Sequence, residues 1–463
     1  MKNKLIIAAL SVCSLFSTTS CDDWLDVVPQ AQVSADKIFS TPEGYEAVLR
    51  GIYISMTESS VYGQESTFGM MDVMSQYYTV FTNKQHALYE ASVYNYKNDY
   101  IKDEIDAMWL NHYNSIANCN ILLENLEYQD EAFFDEHMKN QMTGEALAIR
   151  AYLHLDLLRA FALNYEKYPD AMGIPYAESF DQKIHKQLKT KEVLDKIIAD
   201  LDKAKELLKT TLSGNSYRFN KYSVIALQAR AYYYANKKAE ALACAKEIIK
   251  EAEDGRYVWT AESDFTAPMK SRDVITSKEL IFALQSTDVK QNFYYMDVNK
   301  TNALVLLEPE RIYTDGDDFR KYLFGESDNN GKIVSYKYMP IPGEKSYEGI
   351  IPMIRLSEMY FIAALSAYDT HAEEAIKYLQ TVRKMRGASP AINGETYKGF
   401  LDDVTLEARR EFLGEGQMFY WFKRHSLPIP RQGGEIELTQ EQTCLPMPAN
   451  EIEFGNRIED YLK

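Results

Sequence analysis

The sequence predicts a mainly α-helical protein whose helices pair into hairpins and whose scaffold carries two large irregular insertions. Three observations lead to this prediction. Apolar residues recur at helical spacing over most of the chain. Two stretches have the form of a helix, a short turn and a second helix, and two segments, residues 57–103 and 258–350, break the helical pattern.

The chain begins with a short apolar run behind two lysines. Residues 5–16 are apolar or small throughout, about half of the ~20 residues that a membrane-spanning helix needs. The small residues Thr18, Thr19 and Ser20 lie directly before Cys21. We expect residues 1–20 to be a lipoprotein signal peptide and Cys21 to become the acylated first residue. Cleavage after Ser20 with an unmodified Cys21 is the alternative.

The first helix is predicted to begin at Pro42. Thr41 can cap it, proline suits the first helical position, and apolar residues continue at helical spacing to Met56. A polar stretch rich in Tyr and Ser follows, and it is too long for a simple connection. Residues 57–103 are therefore predicted to form the first insertion.

Helical spacing resumes after this insertion and predicts helices over residues 105–123, 139–161 and 190–208. Asn220 then caps a helix that the turn ANKK joins to a second helix ending near residue 252. Three small residues stand where two antiparallel helices would approach closely: Ala229, Ala241 and Ala245.

The spacing of this pair resembles a tetratricopeptide hairpin, and a similar pair recurs at residues 356–366 and 372–386. Between the two pairs, residues 258–350 contain the short β-prone runs ELIFAL, ALVLL and KIVSYKYM, separated by Gly, Asp, Asn and Pro. This segment is predicted to form the second insertion.

The composition excludes some classes of partner. The formal net charge is −17 at pH 7, and no basic run interrupts it. Such a chain repels phosphate backbones, so we expect no nucleic acid partner.

Motifs for catalysis, metals and cofactors are missing from the sequence. The seven histidines are scattered without an HExxH pair, and GxSxG, Walker and GxGxxG motifs do not occur. The cysteines after Cys21 are odd in number and lack CxxC spacing, which predicts buried, inert thiols. We therefore predict no catalytic residue, no metal site and no cofactor.

Three glutamates invite comparison with the paired carboxylates of glycosidases. Glu407, Glu411 and Glu415 are spaced by four residues and would share one face of a helix. Like charges at this spacing repel one another. Because three arginines lie close in sequence, we predict a structural ion-pair network with Arg409, Arg410 and Arg424.

Six segments, in order along the chain, resemble the SusD/RagB-like outer-membrane nutrient-binding lipoproteins. They are CDDWLDVVPQ, WLNHYNSIANCNILL, GEALAIRAYLHLDLLRAFA, IPMIRLSEMYFIAAL, EARREFLGEGQMFYWFKR and LPMPANEIE. The resemblance covers nearly the whole chain. Single positions depart from the family's pattern: Leu365, Ala408, Met418 and Trp421.

The resemblance implies a single SusD-like domain over residues 21–463, with tetratricopeptide-like helix pairs packed against a variable half that carries the ligand. It also implies a location and a partner. Cys21 would anchor the protein in the outer membrane, Asp22 and Asp23 resemble the tag for display on the cell surface, and a SusC-like TonB-dependent transporter would receive the cargo.

By this resemblance the protein is a glycan-binding subunit of an uptake complex and not an enzyme. Two alternatives stay open. The same uptake role could serve peptide cargo, or the protein could be a surface glycoside hydrolase, which would need a paired acid and base.

Aromatic residues in the two insertions are the candidates for ligand binding, because members of this family stack sugar rings on aromatic side chains. They are Tyr77, Tyr78, Tyr94 and Tyr96 in the first insertion and Tyr294 and Tyr295 in the second. Packing in a core or an interface is the competing interpretation for each of them.

Overall fold

The structure is a computed structural model that describes residues 35–79, 84–129, 133–181, 183–209, 216–266, 278–288, 304–327, 331–337 and 349–458. The described residues divide into two compact units, the first of which contains residues 35–45 and the second of which begins at residue 46. The first unit contains helix α1 (Ala35–Ile38), and helix α2 (Pro42–Ser55) begins in it. As predicted, Thr41 caps α2, since its hydroxyl accepts a hydrogen bond from the amide of Gly44 at 3.2 Å.

Within residues 57–79 and 84–103 the first predicted insertion is irregular, and most of residues 60–78 are buried. It contains a π-helical turn (Ser59–Gly63) and the short helices α3 (Met70–Met74) and α4 (Ala87–Ser92). In this segment, buried carboxylates accept hydrogen bonds that backbone carbonyls accept in helices and sheets. Glu65 accepts one from the amide of Met70 at 3.0 Å, and Asp72 accepts one from the hydroxyl of Tyr78 at 2.6 Å.

The predicted helices of the middle of the chain are confirmed. They are α5 (Asp99–Tyr128), α6 (Glu136–Phe161), α7 (Thr190–Leu207), α8 (Lys221–Tyr234) and α9 (Lys238–Glu253). Each packs against the next, and the short antiparallel strands β1 (Met172–Pro175) and β2 (Gln187–Lys189) lie between α6 and α7 in sequence. The side chains of Asn98, Asp135 and Asn220 cap α5, α6 and α8.

The predicted hairpin is formed by α8 and α9, which pack together across a connection of residues 235–237. Ala229, Ala241 and Ala245 are completely buried, which lets the two backbones approach closely.

The second predicted insertion contains the short helices α10 (Glu262–Thr266) and α11 (Pro309–Ile312) and the strands β3 (Leu280–Ser286), β4 (Phe324–Ser327), β5 (Lys332–Ser335) and β6 (Gly349–Arg355). Strands β3 and β6 pair antiparallel, as do β4 and β5. The run ALVLL contributes isolated bridges, one of which pairs Leu306 with Tyr78 and so joins the two insertions.

The last part of the chain supplies α12 (Leu356–Ala367), α13 (Ala372–Met385), α14 (Tyr397–Glu411), α15 (Met418–His425), the hairpin β7 (Ile429–Arg431) and β8 (Gly434–Ile436), and α16 (Ala449–Gly455). The predicted second helix pair is α12 and α13. Helix α12 is central, because α8, α9, α13 and α14 all pack against it. The mainly α-helical, tetratricopeptide-like fold class is thus confirmed.

One helix ends earlier than the spacing of its glutamates implied. Helix α14 stops at Glu411, and Glu415 lies in the following turn, where Gly414 and Gly416 have φ values of 77° and 67°. A Cβ atom on Gly416 would lie 2.2 Å from the carbonyl oxygen of Ser66, so the turn needs glycine there. The three glutamates therefore do not share one helical face.

The described residues include no helix that is both long enough and apolar enough to cross a membrane.

Candidate functional site

A cleft of about 690 Å³ lies between the end of the first insertion and the chain segment that precedes α16. The cleft is lined by residues 94–97, by residues 439–446 without Thr443, and by Leu163. Its volume falls within the roughly 300–1,000 Å³ that small-molecule sites occupy. The cleft is therefore the candidate binding site of this protein.

The first wall is built by the way α4 ends. Tyr94 adopts the left-handed conformation with φ 55°, and the amides of Tyr94 and Asn95 donate to the carbonyls of Ala91 and Glu90 at 3.1 and 3.0 Å. This is the hydrogen-bond pattern of a Schellman motif, with tyrosine where glycine is usual. It reverses the chain direction and starts the extended wall.

Side chains alternate along this wall. Tyr94 and Tyr96 are buried, while Asn95 and Lys97 are exposed. The hydroxyl of Tyr94 donates to the carbonyl of Met74 at 2.6 Å. Burial raises the pKa of Tyr94 well above its ordinary value, so the hydroxyl keeps its proton. Because the hydroxyls are engaged, the rings are what the tyrosines can offer to a ligand.

The second wall is a short 3₁₀ turn, Glu441–Thr443, fixed by its own side chains. The amide of Thr439 donates to the side-chain oxygen of Gln442 at 3.0 Å, and the amide of Gln442 donates back to the hydroxyl of Thr439 at 3.3 Å. The amide of Leu445 donates to the carbonyl of Ala160 at 3.0 Å, which attaches the wall to the end of α6.

The cleft has little net charge. Lys97 and Glu441 are its exposed charged side chains and have opposite signs, and the amides and hydroxyl of Asn95, Gln440, Gln442 and Thr439 supply donors and acceptors. Such a lining suits a neutral ligand with many hydroxyl groups. Among the residues that the structure describes, no cluster of His, Cys, Asp and Glu could hold a metal ion.

The other predicted tyrosines lie elsewhere. Tyr77 and Tyr78 are buried outside the cleft; the Tyr77 hydroxyl donates to the carbonyl of Arg409 at 2.7 Å. Tyr294 and Tyr295 lie outside the described residues. Ligand contact by any of the six tyrosines stays a prediction. The burial of Tyr94 and Tyr96 favours the competing interpretation that they pack in a core or an interface, although both line the cleft.

Sequence reasoning missed the second wall of the cleft. Residues 445 and 446 begin the segment LPMPANEIE, which carries part of the family resemblance, but no binding role was predicted for residues 439–446. The polar run TQEQT was an available signal, since three exposed or half-exposed glutamine and glutamate side chains in succession do not build a core.

The glutamates that were compared with glycosidase carboxylates form ion pairs with arginine and lysine side chains. Glu411 pairs with Arg320, Arg355 and Arg386 at 2.8, 2.8 and 2.6 Å. Burial raises its pKa, but these three arginines outweigh burial and hold the pKa of Glu411 well below its ordinary value. Glu415 pairs with Lys337 at 2.6 Å.

The predicted ion network thus exists, but its predicted partners were mostly wrong. Arg410 does pair with Glu407, at 3.3 Å. Arg409 instead lies over the ring of Tyr77, and Arg424 pairs with Glu166. The true partners come from distant parts of the chain, which spacing along one helix cannot reveal.

Comparisons with known proteins agree on one family. A SusD-like family profile, described as "Starch-binding associating with outer membrane", matches residues 23–233. The SusD-like protein P38 of Formosa agariphila is 22% identical, and the alignment covers 95% of each chain. A second protein of that organism, SusD-like protein P2, is 25% identical over 58% of this chain and 51% of its own length.

Solved structures show the same fold over 91% of this chain. A SusD superfamily protein from Bacteroides thetaiotaomicron superposes with a TM-score of 0.79 at 24% identity, covering 91% of this chain and 100% of the other. A SusD-like carbohydrate binding protein from Bacteroides vulgatus superposes with a TM-score of 0.76 at 20% identity, covering 91% and 98%.

Proposed function

Because the chain belongs to the SusD/RagB-like family, we propose that it is a cell-surface glycan-binding lipoprotein that captures oligosaccharides and delivers them to a SusC-like TonB-dependent transporter. The observation that carries the proposal is the cleft between residues 94–97 and 439–446. The family description names starch binding, and a relative of the same fold is named a carbohydrate binding protein.

The lining of the cleft supports a neutral oligosaccharide as the cargo. Sugar hydroxyls both donate and accept hydrogen bonds, and so do the side-chain amides and hydroxyl that surround the cleft. Lys97 and Glu441 cancel each other in charge, so the cleft offers no excess of either sign to an acidic or basic ligand.

The tyrosines have two roles in this proposal. The rings of Tyr94 and Tyr96 form apolar surface beside the polar groups, against which the C–H face of a sugar can pack. Their hydroxyls hold the walls in place, because each donates to a backbone carbonyl. A pre-formed wall reduces the entropy that is lost on binding.

The cluster of Glu411 and Glu415 supports a binding protein and not a hydrolase. Glu411 and Glu415 line a cavity of about 30 Å³, which has room for about one water molecule and not for a sugar. Both carboxylates are engaged with cations, so neither is available as the acid or base of a glycosidase pair.

Calorimetry with a panel of neutral oligosaccharides, beginning with starch fragments, tests the cargo. Gln440→Ala removes an exposed side chain of the cleft and should weaken binding about tenfold if one hydrogen bond is lost. Gln432→Ala is the matched control, because Gln432 is exposed between β7 and β8 and does not line the cleft. Equal affinity of both variants and wild type would place the ligand elsewhere.

The same panel extended with short peptides tests the alternative cargo. Binding of peptides without binding of glycans would overturn the glycan proposal while keeping the uptake role.

Purification from solubilised membranes tests the partner. A tagged form of the protein should copurify with a TonB-dependent transporter. Recovery of the tagged protein without a transporter would contradict delivery.

A further inference from the structure

A second cavity, of about 60 Å³, lies inside the helical scaffold and shares no residue with the cleft. Its lining comes from α6, α8, α12 and α15 together with Phe412 and Gln417. At roughly 30 Å³ for a water molecule in the liquid, it has room for two waters or one small ion, and it is far too small for an oligosaccharide.

Two residues that line this cavity each carry a buried hydrogen-bond donor without a partner among the described residues. The two donors are the hydroxyl of Tyr234 and the Nε of Arg424. Both residues are buried, with 5% of their surface exposed. The other nitrogens of Arg424 are engaged: Nη2 donates to the carbonyl of Tyr233 at 3.0 Å, and Nη1 pairs with Glu166.

Unpartnered donors in a buried site call for a ligand that accepts. An Nε–H group can only donate, and a buried polar group left without a partner costs roughly 1–3 kcal/mol. The tyrosine hydroxyl also stays protonated, because burial raises the pKa of Tyr234 well above its ordinary value. Each of the two groups is therefore a donor that a bound acceptor would satisfy.

The charge of the lining favours an anion. Three arginines, Arg159, Arg230 and Arg424, face one glutamate, Glu358, which is bound bidentately by Arg230 at 2.6 and 2.7 Å. The fourth lining side chain with a cationic form is His425, and burial next to Arg424 lowers its pKa to about 3, so it is neutral.

The carboxylates that pair with Arg159 and Arg424 do not line the cavity. Asp156 pairs with Arg159, and Glu166 pairs with Arg424, but neither carboxylate borders the cavity. Glu166 has a half-exposed side chain, so water screens its charge and it neutralises the interior only in part.

We propose that this cavity binds one small monovalent anion, of the size of chloride or formate, between Tyr234 and Arg424. The ion would accept hydrogen bonds from the tyrosine hydroxyl and from Nε of the arginine. It would thereby connect α8 to α15 and stabilise the scaffold, independently of the cargo in the cleft.

Thermal unfolding of the purified protein tests the proposal. Wild type and Tyr234→Phe are compared in sodium chloride, sodium formate and sodium gluconate at equal ionic strength. Gluconate is too large for the cavity. Wild type should unfold at a higher temperature in chloride or formate than in gluconate, and Tyr234→Phe should lose at least half of that increase, with anion affinity about tenfold weaker.

Tyr257→Phe is the matched control, because it removes a hydroxyl from another buried tyrosine that does not line the cavity. It should show the wild-type response, which separates a site from general salt effects. In gluconate, Tyr234→Phe should be as stable as wild type or more so, because it removes an unpartnered hydroxyl, so the variant should fold.

Crystals grown with bromide give a direct measurement. We expect an anomalous peak within hydrogen-bond distance of the Tyr234 hydroxyl and Arg424 Nε. Ordered water in place of the peak, or equal salt responses in wild type and Tyr234→Phe, would overturn the proposal.

Discussion

The hydroxyl of Tyr96 donates to the backbone carbonyl of Gln442 at 2.8 Å and so joins the two walls of the cleft, which are 346 residues apart in sequence. The two residues meet because the Schellman motif at the end of α4 reverses the chain while the amide of Leu445 attaches the second wall to α6. We expect the shape of the cleft to depend on this bond.

Tyr96→Phe removes the bond and keeps the ring. We expect the free energy of unfolding to fall by about 1 kcal/mol, because a buried hydrogen bond is lost and its carbonyl acceptor remains. Urea unfolding measures the change. Tyr128→Phe is the control, since Tyr128 is 86% exposed and its variant should match wild type. A Tyr96→Phe protein as stable as wild type would show that the bond does not hold the walls.

The oligosaccharide affinities of two variants at Tyr96 separate the contribution of the ring from that of the hydroxyl. If the ring packs against sugar, Tyr96→Phe should retain most of the affinity, whereas Tyr96→Ala should lose about 1–2 kcal/mol of binding, roughly tenfold. Calorimetry with the cognate oligosaccharide measures both. If both variants fold and bind the oligosaccharide with the affinity of wild type, Tyr96 does not belong to the site.

Helices and helix pairs could be predicted from the sequence because their signals are local. Asn220 caps α8, and the alanines of α8 and α9 mark their interface within one hairpin. The cleft could not be predicted in this way. Its first wall begins at a left-handed Tyr94 where glycine would have been the signal, and its second wall is contributed by residues from the other end of the chain.

The predicted lipid anchor is tested by Cys21→Ala, at a position outside the described residues. The variant should move from the membrane to the soluble fraction with its fold intact, because acylation needs the thiol. Cell fractionation followed by immunoblotting measures the distribution. Cys13→Ala, within the signal, is the control and should stay attached. Membrane attachment of Cys21→Ala in cells without the transporter would refute the anchor.

Glu411→Gln tests the structural role of the ion network. It leaves Arg320, Arg355 and Arg386 without part of their neutralising charge in a buried site. We expect a loss of about 3–5 kcal/mol in the free energy of unfolding, measured with urea. Glu435→Gln, at an exposed position in β8, should be neutral.

The affinity of Glu411→Gln for oligosaccharide should equal that of wild type, because Glu411 does not line the cleft. A stable Glu411→Gln protein that had lost a hydrolytic activity of the wild type would restore the hydrolase alternative.

Glu65 should make stability depend on pH near neutrality. Burial, and next the charge of Glu104, raises the pKa of Glu65 to about 7. Because the folded pKa is raised, the stabilisation is complete below the ordinary value of 4.5 and is lost as pH rises through about 7, by up to ~1.4 kcal/mol per unit. Glu65→Gln should remove this slope, measured by urea unfolding from pH 4.5 to 8. Glu58→Gln, at an exposed position, should retain it, and parallel curves for wild type and Glu65→Gln would contradict the assignment.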